Sequence, residues 1–302
     1  MTDVIADNAV KRSRPGIRGG SALRGRYELL GIPALVLVLV LFVYPLVTML
    51  GKSFDDFLVT EQGHGVFANY QWFFGQHVNV LVLQRTLVTA LAVTAICLAV
   101  SYPFAYLMTL VGERTRLVMT GAVLLSFWTS LMVRNYAWLI LLQDNGVVNR
   151  ILGSLGLPRL HVIGTAAGAA IGMCQILLPF MILPLYANLR GIDRRLLQAA
   201  QSLGARPAVA WWLVYAPLSV PGVVAGSLLV FVMTLGFYIT PAILGSPTNA
   251  MFSQLIVTQV QTLLAFGRGG AMAAVLLVAT LLLLGCAALV TRRARSRGVV
   301  AT

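Results

Sequence analysis

Charge is what this 302-residue sequence has least of. Only 10% of its residues are Asp, Glu, Lys or Arg, and nine are acidic, against 59% hydrophobic residues and a mean hydropathy of +0.87. A soluble domain of this length cannot cover its surface with so few polar groups, so lipid is the solvent for most of the chain. Cysteine is scarce too. Cys97, Cys174 and Cys286 all lie within apolar runs, far apart, which excludes a disulfide framework and a metal-ligand spacing. His64, His77 and His161 are scattered over the inter-span segments as solvated side chains, with no paired His spacing for a metal. The only lysines, Lys11 and Lys52, follow no Gly-x-x-x-x-Gly phosphate loop, so the chain is not expected to hydrolyse ATP. No Ser-His-Asp or paired-carboxylate arrangement stands at membrane depth, which disfavours a membrane-embedded enzyme. No cofactor of its own is expected.

What is present is a series of long apolar runs. Six are long enough to cross a bilayer, which takes about 20 residues: Leu29–Leu50, Thr86–Val111, Leu117–Val133, Gly164–Ala187, Pro217–Leu244 and Gly270–Val290. The third is short and is expected to continue through Tyr136–Leu142, tilting or breaking near Arg134. The first follows basic residues but is too long for a cleaved signal segment and has no Ala-x-Ala site after it, so it is expected to be a retained span. The sequence therefore divides into a basic N-terminal segment, 1–28, a six-span domain, 29–291, and a basic tail, 292–302.

The net charge of +13 is a matter of topology. Lys11, Arg12, Arg14, Arg18, Arg24 and Arg26 lie on one side with Arg114, Arg116, Arg190, Arg194, Arg195, Arg206, Arg292, Arg293, Arg295 and Arg297. The other side holds Lys52, Arg85, Arg134, Arg150, Arg159 and Arg268. That asymmetry places both termini in the cytoplasm, as an even number of spans requires. Basic clusters beside apolar runs serve orientation and anionic headgroups, not nucleic acid. None of the six runs contains Asp, Glu, Lys, Arg or His. Ion-coupled carriers need such groups at membrane depth, so a secondary carrier or channel is disfavoured and the driving force is expected to act from outside the membrane. Prolines at 33, 45, 103, 179, 184, 221 and 241 remove backbone hydrogen bonds within the spans, as kinks or as openings onto a cavity.

The most informative loop, 188–216, joins the fourth and fifth spans. Asp193 is suited to cap a helix N-terminus. Leu196, Leu197, Ala200 and Leu203 share one face at helical spacing. Gly204 is suited to a left-handed turn ending that helix, and Pro207 to the first turn of the next. The expected product is a helix–turn–helix lying across the cytoplasmic surface, with Ala199, Ala200 and Gly204 allowing close approach of a partner. An amphipathic helix resting on headgroups would satisfy the same pattern.

Within this loop Gln198-Ala199-Ala200, three residues, Gly204, nine residues and Val214-Tyr215-Ala216-Pro217 resemble the coupling motif of binding-protein-dependent ABC importer permeases, Glu-Ala-Ala…Gly…Ile-x-Leu-Pro. Gln198 replaces the usual Glu, keeping its length and losing its charge. Further segments resemble the spermidine/putrescine branch: Asn69-Tyr70 with Phe73-Phe74, Phe127-Trp128-Thr129-Ser130-Leu131-Met132-Val133-Arg134, Tyr136-Ala137-Trp138, Leu178-Pro179-Phe180-Met181 with Pro184-Leu185-Tyr186, and Gly236-Phe237-Tyr238-Ile239-Thr240-Pro241. The resemblance implies an all-α integral membrane fold of the type I importer kind, six spans with a coupling helix between spans four and five. It implies a second permease subunit, two ATPase subunits that bind the ATP and Mg, and a periplasmic solute-binding protein. Asp193, Gln198, Ala199, Ala200 and Gly204 would then meet the ATPase.

For the solute, Trp128, Tyr136, Trp138, Phe237 and Tyr238 can line a path and hold an ammonium by cation–π contact, or can anchor the chain at the interface. Asp144 either attracts a cation or, as its position before Asn145-Gly146 favours, caps a short helix. The implied solute is a polyamine; an opine, another amine or iron(III) are the alternatives within the same class.

Overall fold

The computed structural model describes residues 20–54 and 65–296. Every regular element among them is helical. Asp55, Asp56 and Glu61 of the first inter-span segment, His64 beside them, and the basic residues before Gly20 and after Ser296 lie outside the described residues.

The chain forms two compact units, 1–51 and 52–302. The first contains nearly all of helix α1, Gly20–Lys52, which starts nine residues before the expected span and carries Pro33 and Pro45 inside it. From Leu35 onward it is apolar enough to span a membrane.

In the second unit, α2 (Ala68–Gly75) precedes α3 (His77–Leu110). α3 begins nine residues earlier than its apolar run, so Arg85 stands inside a helix; its guanidinium donates to the Thr248 carbonyl. The third span is broken into α4 (Glu113–Trp128) and α5 (Leu131–Leu142), and the helical stretch Leu131–Ser154 bends by 99° from α4. The break falls at Thr129–Ser130, before the expected position at Arg134, and places Arg134 in the first turn of α5. There its Nη1 donates to Ser126 Oγ across the elbow at 3.1 Å. α6 (Val147–Ser154) follows, then α7 (Ala166–Arg190), whose N-terminus is capped by Thr165 Oγ1 accepting from Gly168 N.

α7 is the axis of this unit. It packs most extensively on α3 and on α10 (Ala216–Leu235), which α8 (Arg195–Ser202), α9 (Pro207–Ala210) and a π-helical turn at 211–215 precede. Of the apolar windows, that of α7 is 56% buried and that of α10 39%, against 11% for α13 (Phe266–Ser296). Small residues set this closeness. A Cβ at Gly226 would stand 2.7 Å from Met181 Sδ and 3.1 Å from the Met181 carbonyl, and one at Gly222 only 2.6 Å from Asn188 Cβ. These glycines, four apart on α10, let two backbones approach as in small-xxx-small membrane pairs. Val93, Cys97, Met173, Leu177, Met181 and Val230 fill the core between the three helices. Cys97 and Cys174 act there as small buried side chains, Cys97 Sγ donating to the Cys174 carbonyl at 3.7 Å.

The fifth span ends at Leu235, not Leu244. Gly236 and Phe237 interrupt it, and residues 239–244 form a separate helix, α11 (Ile239–Leu244), which packs on α5 and α7. The following segment is not a plain loop: it contains α12 (Phe252–Val257) and a second π-helical turn at 258–262. Phe73 of α2, Phe252 of α12 and Met272 of α13 close that end of the bundle.

Candidate functional site

The loop expected to carry function folds as two short helices joined by a tight turn. Asp193 was expected to cap the first of these, α8, but the N-cap position is Arg194 and Asp193 stands one residue before it; its Oδ1 still accepts from Arg195 N at 2.9 Å and its carbonyl from Leu196 N. The far end is a Schellman motif. Gly204, at φ +91°, donates its N–H to the Gln201 carbonyl, and Ala205 donates to that of Ala200. Pro207 opens α9 at its first position, where the missing N–H costs no hydrogen bond.

The expected apolar face of α8 is only partly formed. Leu197 packs inward against the cluster of Ala105, Leu185, Leu189 and Tyr215, and Ala200 is half-buried. Leu196 is exposed and Leu203 is 90% exposed, because the helix lies flat and only one edge of so short an element reaches the core. Gln198 and Ala199 are exposed as well, and nothing stands within 4 Å of a Cβ placed at Gly204. The outer surface of α8 is open for a flat contact.

Beneath it the attachment is firm, and most of the residues responsible were not singled out by the sequence reading. Arg194 Nη2 donates to the carbonyl and, at 3.2 Å, to the hydroxyl of Thr109, in the last turn of α3. A cation at a helix C-terminus meets carbonyls that have no intrahelical partner and the negative end of the helix dipole. Trp211 meets Tyr102 and Tyr106 edge-on, with ring centroids 5.8 and 6.5 Å away, and Tyr215 packs on Tyr106 at 5.3 Å. Tyr102 and Ser219 share a 3.0 Å hydroxyl contact. Tyr215 is 2% exposed, while its neighbours Trp212 and Leu213 are exposed. The π-helical turn sorts them, pointing two aromatics at α3 and two side chains away from it. The Trp-Trp-x-x-Tyr spacing was the available signal.

The candidates for a solute path are dispersed. Trp128, at the end of α4, is 83% exposed; Tyr136 on α5 is exposed and Trp138 half-buried. Phe237 packs against the α3–α7–α10 core, and Tyr238 is exposed. Among the described residues no ring–ring contact joins any two of these five. Asp144 does not cap: the residue before α6 is Gly146, and Asp144 Oδ1 faces His161 Nδ1 at 2.8 Å, both side chains exposed. His161 is thus not a merely solvated histidine. A cleft of about 510 Å³ beside it is lined by Asp144, Asn149, Arg150 and Arg159.

The buried polar groups are elsewhere. Asn135 on α5 is fully buried with neither amide atom hydrogen-bonded, and Thr240 Oγ1 on α11 and Gln175 Oε1 on α7 are also without partners. These helices pack pairwise around the elbow. Hydropathy treats such residues as minor interruptions of apolar runs, so no pattern along the chain selects them.

No family model matches the chain. It is 32% identical over 230 residues to the spermidine/putrescine transport system permease protein PotB of Haemophilus influenzae, covering 76% of this chain and 77% of that protein. To PotB of Escherichia coli it is 33% identical over 180 residues, 59% of this chain and 66% of the relative. The E. coli inner membrane ABC transporter permease protein YdcU is 34% identical over 220 residues, covering 67% and 70% of the two chains. In fold it resembles a chain of a bacterial alginate ABC transporter solved with its alginate-bound periplasmic protein, with a TM-score of 0.74 and 17% identity over 90% of this chain and 96% of that one. With its long apolar helices, its broken third span and these relatives, the chain belongs to the family of multi-pass inner-membrane ABC transporter permeases that includes the spermidine/putrescine permeases.

Proposed function

We propose that this chain forms half of the translocation path of an ATP-driven importer for a small organic polyamine, of the spermidine or putrescine kind. The observation that carries the substrate class is the 32% identity with a spermidine/putrescine permease over three quarters of both chains. In this reading a second permease subunit completes the path, two ATPase subunits bind ATP and Mg, and a periplasmic binding protein delivers the solute. The same reading makes the basic inter-span segments, α8 and both termini cytoplasmic, as the Lys and Arg asymmetry of the sequence favours.

The loop geometry supports α8 as the part that meets an ATPase. Its open surface, with Gln198, Ala199 and Gly204, lies over an aromatic cluster bonded to α3 and α10, so a push on α8 is delivered to two spans. Closure of the ATPase pair biases the path only if nucleotide binds one global state more tightly than the other. Gln198 accepts and donates hydrogen bonds without a charge, so docking here does not rest on an ion pair at that position.

Deletion of the gene is expected to abolish high-affinity uptake of spermidine or putrescine, restored by the gene in trans. Unchanged uptake of both, with collapse of another solute's uptake, would overturn the substrate and leave the permease family intact. A cysteine introduced at Arg195 should resist an impermeant thiol reagent in intact cells while one at Gly156 reacts; the reverse pattern would invert the orientation.

A further inference from the structure

Residues 143–161 join the end of the third span to the start of α7, so they stay at one boundary between bilayer and water. α7, 25 residues and roughly 37 Å long, separates them from α8. The segment is firmly built: buried Asn149 donates from Nδ2 to the Gln143 and Leu160 carbonyls and accepts from Leu160 N at 2.8 Å. Arg150 and Arg159 line the cleft beside it, and the one carboxylate there, Asp144, is taken by His161. Other arginines between the spans on this side are committed within the molecule: Arg85 to the Thr248 carbonyl, Arg134 to Ser126, and Arg268 over the Trp72 ring at 4.7 Å. Arg159 has no hydrogen bond or ion pair among the described residues, and Arg150 has one, from Nε to the Asn145 carbonyl at 3.1 Å. Both side chains are exposed. Two guanidinium groups on one cleft repel an amine cation, so the solute path does not account for them. An apolar ridge runs alongside. Val147, Ile151 and Leu155 stand four apart along α6 and its end, and all are exposed, as are Leu157 and Leu160 just beyond. Large apolar side chains on one edge of a helix, with arginines flanking them, are the pattern of a helix lying in a bilayer interface.

The geometry points to a phospholipid site, in which Arg150 and Arg159 hold the phosphate of an anionic phospholipid while Val147, Ile151 and Leu155 lie among its acyl chains. A guanidinium presents paired N–H donors that match phosphate oxygens, and a net negative headgroup adds long-range attraction. A free phosphate ion would satisfy the arginines and leave the apolar ridge in water; a lipid satisfies both. A lipid held there fixes the depth of the segment that leads from the broken third span into α7, the axis of the bundle. Only the leaflet, the periplasmic one, rests on the orientation proposed above.

The test uses the whole transporter, delipidated in detergent and captured on a resin, and measures retention of radiolabelled phosphatidylglycerol or phosphatidylcholine. The wild type is expected to retain phosphatidylglycerol at a several-fold lower concentration than the double variant Arg150→Gln, Arg159→Gln, with a smaller difference for phosphatidylcholine. Arg150→Lys with Arg159→Lys keeps both charges and should recover most of the retention, which separates loss of charge from any disturbance of the fold. Equal retention by the wild type and the Gln variant would overturn the site. Displacement of the lipid by millimolar inorganic phosphate would assign the cleft to a free anion and overturn it as well. A soluble partner is the other occupant to exclude. In nanodiscs of neutral lipid, half-maximal stimulation of ATP hydrolysis should need the same concentration of binding protein for wild type and Gln variant. A several-fold rise in the variant, with lipid retention equal, would give the arginines to that protein instead. Lipid retention involves no solute, so the polyamine reading can fail while this site stands. Inverted thiol labelling at Arg195 and Gly156 would move the site to the other leaflet without removing it.

Discussion

Gly226 and Gly204 are both glycines in the second unit, and they do opposite work. Gly226 lies in the α7–α10 seam, where a Cβ would strike Met181 at 2.7 Å. Gly204 lies on the open surface after α8, where a Cβ would meet nothing but the backbone holds φ at +91°. The first is small because two helices must touch. The second is glycine because the chain must turn, and its surroundings are empty until something docks. The comparison separates the region that makes the fold from the region that presents a surface, and each can be broken without the other.

The largest effect is expected at the seam. Gly226→Leu forces four heavy atoms against the Met181 backbone, which cannot swing aside, and should destabilise the helix pair by roughly 3 kcal/mol or more. Membrane abundance and the detergent-solubilised unfolding temperature should both fall, and transport with them. Normal abundance and an unchanged unfolding temperature would show that the seam yields more easily than its contacts indicate.

At the surface, Gly204→Asp should leave the fold nearly intact. The left-handed turn costs roughly 1 kcal/mol with a side chain present, and no neighbour is displaced. Uptake normalised to membrane abundance should nevertheless fall to near background, with poor recovery of the ATPase in a pull-down. Full uptake with normal ATPase recovery would remove the docking role from this surface. If Gly204→Asp instead lost abundance as Gly226→Leu does, the distinction between the two glycines would fail.

The smallest effect is expected between the regions. Arg194→Ala removes the bonds from the loop to the end of α3, exposed contacts worth about 1 kcal/mol. Abundance and ATPase recovery should hold, while solute moved per ATP hydrolysed drops a few-fold as the loop is freed from one of its spans. An unchanged ratio would assign the transmission to the aromatic cluster of Tyr102, Tyr106, Trp211 and Tyr215 alone.

Much of the loop was legible in advance. Gly204 and Pro207 act through backbone geometry within a few residues and stand where local rules put them, while Asp193 falls one residue short of the cap position and still bonds Arg195 N. The shared apolar face did not follow from spacing, since Leu196 and Leu203 have the right period but α8 lies too flat to bury them. The expected cap by Asp144 failed for a similar reason: His161, 17 residues away, offers a partner that no local pattern indicates.

The sequence by itself determined that the chain lives in lipid, that it forms six apolar runs with a basic face, and where its coupling-type loop starts, turns and resumes. These properties depend on hydrophobic length, charge asymmetry and short-range backbone rules, all of which act within one or two helical turns. Only the tertiary structure decided that the third span bends at Thr129–Ser130, that the fifth stops at Leu235, that Arg194 reaches Thr109, and that Asn135 is buried without a partner. Each of these depends on which helices become neighbours. A buried polar group or a break in a helix is tolerated only where a neighbouring element satisfies the freed backbone or leaves room for something that will, and hydropathy along one strand of sequence carries no record of neighbours.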